Sequence, residues 1–140
     1  MMKYMNKRGF TLIELLVVIA IIGILASVVL ASLNSAREKG RDASARASTN
    51  NIRAAAEVFY DDQDPHVYDG MCTDAAIDTL LDAAQAQTGI APDCFDVGQA
   101  YAVEIELNNG DFFCVDSTGA AETTAASAAL ADASPVCDGV

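Results

Sequence analysis

The stretch Lys7-Arg8-Gly9-Phe10-Thr11-Leu12-Ile13-Glu14-Leu15-Leu16-Val17-Val18-Ile19-Ala20-Ile21-Ile22-Gly23-Ile24-Leu25-Ala26 decides how this chain is built. Lys3, Lys7 and Arg8 make the segment before Gly9 basic, and 19 uncharged residues run from Leu15 to Leu33. As a helix that run rises about 28 Å, and a start at Phe10 carries it across a ~30 Å hydrocarbon core. A basic start before an apolar run is a cleaved secretory signal, an uncleaved anchor, or a leader removed at the membrane edge. The run exceeds the apolar core of an ordinary signal, and only weak cleavage endings such as Val29-Leu30-Ala31 occur in it. Glu14 separates the other two readings, because a carboxylate near the membrane end of an apolar helix is costly and marks function. A plain anchor has no use for it.

These residues resemble the prepilin family, the type IV pilins and the pseudopilins of type II secretion, and the likeness covers Lys7 to Tyr60. The resemblance implies an α+β, pilin-like fold in which a long N-terminal helix carries a small head. It implies a prepilin peptidase that cuts between Gly9 and Phe10 on the cytoplasmic side and methylates the new Phe10 amine. It also implies that Glu14 guides assembly by pairing with the amine of an adjacent subunit, the alternative partner being its own Phe10 amine. Many relatives carry a helix-breaking proline where this chain has Ala31. Gly23 by itself weakens a helix by about 1 kcal/mol, against ~3 for proline.

The function that follows from the resemblance is structural: a filament subunit held in the cytoplasmic membrane, head outside, until other copies and the inner-membrane assembly machinery polymerise it. Alternatives are a pseudopilin of type II secretion, or a minor tip pilin serving adhesion or DNA uptake. The expected segments are 1–9 leader, 10–33 membrane half of the helix, 34–60 amphipathic half, and 61–140 head.

Charge divides the chain sharply. All 8 basic side chains lie at or before Arg53, whereas 17 of the 20 carboxylates lie beyond it. Such an acidic section repels phosphate backbones, so no direct nucleic-acid binding is expected of it. Arg37, Lys39, Arg41 and Arg46 after the apolar run outnumber the basic residues before it, so charge counting leaves the orientation open. Cys72, Cys94, Cys114 and Cys137 all fall in the acidic section without zinc spacing, which favours two disulfides over free or metal-bound thiols if that section is exported. Of the three pairings, Cys72 with Cys94 and Cys114 with Cys137 closes the two shortest non-overlapping loops.

No proline interrupts the chain before Pro65, so a single helix from about Phe10 to Tyr60 is expected. Ala36, Gly40, Ala43, Ala47, Asn51, Ala54 and Val58 recur at helical steps, widened by Ile52, Ala55 and Phe59, and this stripe is expected to hold the head. Gly23, Ser27 and Ala31 form a second small-residue face, which is either a packing surface or common membrane-helix composition. Thr73-Asp74 opens a short helix carrying Ile77, Leu80, Leu81 and Ala84 on one face up to Gly89. Tyr101, Val103, Ile105 and Leu107 alternate with Ala102, Glu104 and Glu106, and Asn108-Asn109-Gly110-Asp111 turns that strand into Phe112–Val115. A third strand is expected near Ala120–Thr123, and Thr123–Ser134 reads as either a helix or a loop.

Asp61, Asp62, Asp64 and Asp69 are either calcium ligands or solvated and capping carboxylates, and they lack the glycine of an EF-hand. No cofactor is expected. His66, the only histidine, reads as a loop residue, and Asp116 and Ser117 as turn residues of Asp116-Ser117-Thr118-Gly119, so no catalytic set is expected. A side chain at position 9 obstructs a peptidase acting at the membrane edge. Gly9→Val is therefore expected to accumulate precursor on immunoblots of cells containing that enzyme, and mature protein beginning at Phe10 at the normal rate would refute the leader.

Overall fold

The structure is a computed structural model that describes residues 9–127 and 136–137. The elements are α1 (Leu12–Asp62), a short 3-10 helix (Met71–Thr73), α2 (Ala75–Thr88), β1 (Asp93–Val97), β2 (Ala100–Glu106), β3 (Phe112–Asp116) and β4 (Ala121–Thr124). The chain divides into two compact units, 1–36 and 37–140, so the second half of α1 belongs to the unit that contains the sheet. In the first unit every described residue is exposed, including Leu16, Ile19, Ile22 and Leu25. Among the described residues α1 is the one helix long and apolar enough to cross a membrane. Gly23 has open space around it, and the Ser27 hydroxyl donates to Ile24 O at 2.7 Å, which satisfies it within its own helix.

The second unit is a four-stranded antiparallel sheet in the order β1-β2-β3-β4. Asp74 caps α2 by accepting from the Ala76 amide at 2.9 Å, and Gly89 ends it with φ 78°, a left-handed conformation that costs a glycine little. Gly98-Gln99 makes the two-residue turn between β1 and β2, whose register pairs Val97 with Ala100. β1 is absent from the sequence expectation, because Asp93 and Asp96 disfavour strands and Cys94 and Phe95 do not complete an alternating run. The expected third strand is the fourth, β4. The remainder of the Thr123–Ser134 section leaves the strand at Thr124, and 128–135, like Met1–Arg8 of the leader, lie outside the described residues.

One sheet face carries Tyr101, Val103, Ile105, Phe113 and Val115, and it forms a core with Ala45, Ile52 and Ala56 of α1, Ile77 and Ala84 of α2, and Met71. On the other face Ala102, Glu104, Cys114 and Asp116 are buried as well. Two described residues beyond β4 meet it: Cys137 bonds to Cys114, and Ser127 donates to Glu104. Cys72 is joined to Cys94, which ties the 3-10 helix to β1.

The stripe expected to hold the head is corrected in its main line, while Ile52, Ala55 and Phe59, which widen it, do pack in or against the core. α1 buries Asp42, Ala45, Thr49, Ile52 and Ala56, whereas Gly40, Ala43, Ala47, Asn51, Ala54 and Val58 are exposed. At ~100° per residue the two stripes lie on opposite sides of the helix. The buried stripe hid from the sequence because two of its members are polar and satisfied inside the fold. Thr49 donates to Ala45 O at 3.0 Å. One oxygen of Asp42 accepts from both the backbone N–H and the side-chain amide of Asn108, at 2.8 and 2.7 Å. Asp42→Ala removes both bonds and is expected to destabilise the full-length protein in detergent by about 1 to 3 kcal/mol. Thermal unfolding followed by circular dichroism checks this.

Candidate functional site

Gly9, Phe10 and Thr11 precede α1 in irregular backbone, with Phe10 87% exposed and nothing within 4 Å of a side chain at Gly9. The bond between Gly9 and Phe10 thus lies in accessible backbone just outside the first helical turn. Thr11 caps that turn. Its amide and its hydroxyl both donate to Glu14 Oε2, at 2.9 and 2.7 Å, while the Glu14 amide donates to the Thr11 hydroxyl at 3.3 Å. This is a capping box, in which two groups left unpaired at a helix start satisfy each other. Thr11 did not figure among the expected site residues. Its signal was legible as Thr-x-x-Glu ahead of an apolar run. Glu14 therefore has a partner within its own chain that is neither a neighbour's amine nor the Phe10 amine.

In the second unit the four expected aspartates do not gather. Asp69 accepts from the Gly98 amide at 2.7 Å, while Asp61, Asp62 and Asp64 are exposed. Among the described residues no three His, Cys, Asp or Glu side chains are placed to hold a metal ion. His66 Nδ1 donates to Tyr60 O at 3.1 Å and its ring stacks on Tyr60 at 5.5 Å, whereas Asp116 bonds to turn amides, so the two share no hydrogen bond.

Tyr60, Tyr68 and Tyr101 form an aromatic row with centroid spacings of 4.7 and 4.8 Å. Tyr68 donates to Glu57 at 2.9 Å, and burial followed by that carboxylate pushes its hydroxyl well above the ordinary range. Burial, then the charge of Glu57, pushes Tyr101 up to about 12. Both stay protonated, and the Tyr68 hydroxyl ties the segment before the 3-10 helix to the end of α1. Arg46 lies over the Phe113 ring at 5.9 Å, a cation–π contact that keeps this charge on the head.

Asp116 is the most heavily bonded carboxylate. Burial by itself raises its pKa, but Thr118 donates its hydroxyl and amide to Oδ1, Ala120 its amide to Oδ1 and Cys137 its amide to Oδ2, which together hold the carboxyl below its ordinary value. The expected turn is present, and its first residue also fixes the C-terminal segment.

A helix long and apolar enough to cross a membrane, with an accessible, capped start, and a disulfide-bonded antiparallel head make a pilin-like α+β fold. The family model described as the prokaryotic N-terminal methylation motif matches residues 4–30. The chain is similar to the type IV wide pilus major component PilA4 of Thermus thermophilus, 43% identical over 61 residues, which are 44% of this chain and 47% of that one. It is also similar to the type IV major pilin protein PilA of Myxococcus xanthus, 35% identical over 59 residues, 42% of this chain and 27% of that one. The matched section thus spans less than half the length of either curated relative. No solved structure matches the chain. The N-terminal section of this chain is therefore similar to that of type IV pilins.

Because the folded Asp116 carboxyl sits below its unfolded value of ~3.9, its stabilisation is complete above about pH 4 and is lost as pH falls through the folded value. Asp116→Asn turns one acceptor into a donor facing the Cys137 amide. It is expected to destabilise the protein by about 2 to 4 kcal/mol at pH 7, with the gap to wild type narrowing below about pH 4. Thermal unfolding at pH 7, 4, 3 and 2 measures both effects.

Proposed function

We propose that this chain is a structural subunit of a type IV pilus-like filament, cut by a prepilin peptidase between Gly9 and Phe10 and polymerised through α1. The observation that carries this reading is the first unit, a helix whose apolar residues are exposed along its whole length and which begins at an accessible, capped start. Among the described residues none covers that surface, so lipid before assembly and other helices afterwards are its natural solvents. The acidic head lies outside the cytoplasm, where its two disulfides form and persist. Partners are the peptidase, the membrane, the inner-membrane assembly machinery and other copies of the chain. The role is mechanical, and no residue is assigned to catalysis.

Before cleavage position 10 is an amide, and Glu14 is occupied by Thr11. Cleavage creates an amine one helical turn away, and a neighbour's amine then competes for the same carboxylate. A charged amine is the stronger partner, since it adds the attraction of an opposite charge that the neutral Thr11 donors lack. An unpaired carboxylate among packed helices costs up to ~2.5 to 3.5 kcal/mol at a membrane centre and less near the interface. Assembly thus depends on Glu14, whereas insertion and cleavage do not.

Glu14→Val as the only copy is expected to give cleaved, membrane-resident protein and few or no filaments. Immunoblots of membrane and sheared fractions, beside filament counts by electron microscopy, check this. Normal filament numbers would remove the proposed role of Glu14.

A further inference from the structure

Two features of the second unit are left exposed among the described residues. An open groove of about 550 Å³ is lined mainly by Ala54, Ala55, Val58 and Phe59 of α1 and by Ala76, with Asp62 at its margin. Val58 within it is 63% exposed, although it is a large apolar side chain. Asp61 and Asp62 beside it are exposed as well. Earlier on the same helix, Gly40, Ala43 and Ala47 are exposed small residues, and Arg37, Lys39 and Arg41 around them are exposed and basic. At ~100° per residue Gly40, Ala43, Ala47, Ala54 and Val58 share one side of α1, opposite the buried stripe.

We infer that this groove seats the section Arg37–Ala47 of a second, parallel copy of the chain. The inference rests on the filament reading and deepens it by naming the contact. Charge selects the occupant: every basic side chain lies at or before Arg53 and the groove margin is acidic, so a copy of this chain supplies the complement. Shape agrees, because Gly40 has open space around it and small residues let a second backbone approach closely. The orientation is parallel because both copies enter the same membrane through the same span. Placing Gly40 of one copy opposite the middle of Ala54–Val58 of the other sets an axial shift of roughly 24 Å. Apolar contact along the groove supplies attraction, and the flanking charges set the register, which salt weakens over ~8 to 10 Å.

The test uses the full-length chain with a benzophenone amino acid at position 58, produced with the peptidase and assembly machinery. Cross-links are mapped by mass spectrometry in intact membranes and in sheared filaments. The expected link joins position 58 to the 37–47 section of a second copy. Its yield should fall about tenfold in the double variant Asp61→Lys, Asp62→Lys and in the double variant Arg37→Asp, Arg41→Asp, and should return to within about twofold when all four changes are combined. Gly40→Leu should also abolish the link while leaving the unfolding temperature equal or higher, since leucine favours a helix over glycine and meets nothing there. Links to another protein or another segment, no link, or an undiminished link in Gly40→Leu would overturn the inference. Normal filaments with position 58 linked elsewhere would sink the groove and leave the filament reading intact. The expected link in membranes of cells that make no filaments would support the groove and sink that reading.

Discussion

The side of α1 that packs on the sheet is the constraint on which the second unit depends. After Arg37, α1 supplies the buried stripe of Asp42, Ala45, Thr49, Ile52 and Ala56 on which the sheet closes its core. A helix that gives one side to its own head keeps the opposite side for something else, and here that side carries Gly40, Ala43, Ala47, Ala54 and Val58. The buried stripe is small and partly polar, so the head gains limited area from it. Two anchors compensate: the Asp42 carboxylate holds the β2–β3 turn through Asn108, and the Tyr68 hydroxyl reaches Glu57 near the helix end.

Small domains bury a modest share of their surface, and this head meets that limit with covalent and ionic devices. Each disulfide closes a loop with a sequence separation of 22 or 23 residues, for which constraint of the unfolded chain contributes about 3 kcal/mol. Cys114–Cys137 and the Cys137 amide on Asp116 together hold Cys137 on the second sheet face, where Ala102 and Glu104 are also buried. The acidic composition and the core are thus compatible, because the carboxylates buried among the described residues, Asp42, Glu104 and Asp116, each accept a named hydrogen bond.

At the other end of the helix the same economy recurs. Glu14 caps the first turn through Thr11, which makes an acidic residue locally favourable before any partner arrives. An assembly that recruits this carboxylate exchanges one satisfied state for another, which avoids exposing a bare charge to an apolar surrounding at any stage. The exposed first unit and the exposed side of the second are separate surfaces, and both are formed by one uninterrupted element.

By itself the sequence determined whatever depends on local spacing. The uncharged run, the absent prolines, the Asp74 and Gly89 caps, the alternation of Tyr101 to Leu107 and the family leader all speak within a few residues of where they act. The Thr11–Glu14 box was equally legible and went unread. Loop length indicated the pairing of Cys72 with Cys94 and Cys114 with Cys137, and the structure has those bonds. Tertiary structure decided which side of α1 faces the sheet. Alanine, glycine and threonine occur all round that helix, so no periodic signal distinguishes inside from outside, and Asp42 turned inward only because Asn108 waits there. It also made a strand of Asp93–Val97, where two aspartates argue against one, because Cys94 is held by Cys72 and Asp96 accepts from the Cys72 amide. Burial of both sheet faces was decided by Asp116 and Cys137, 21 residues apart in sequence, a contact that no local pattern encodes.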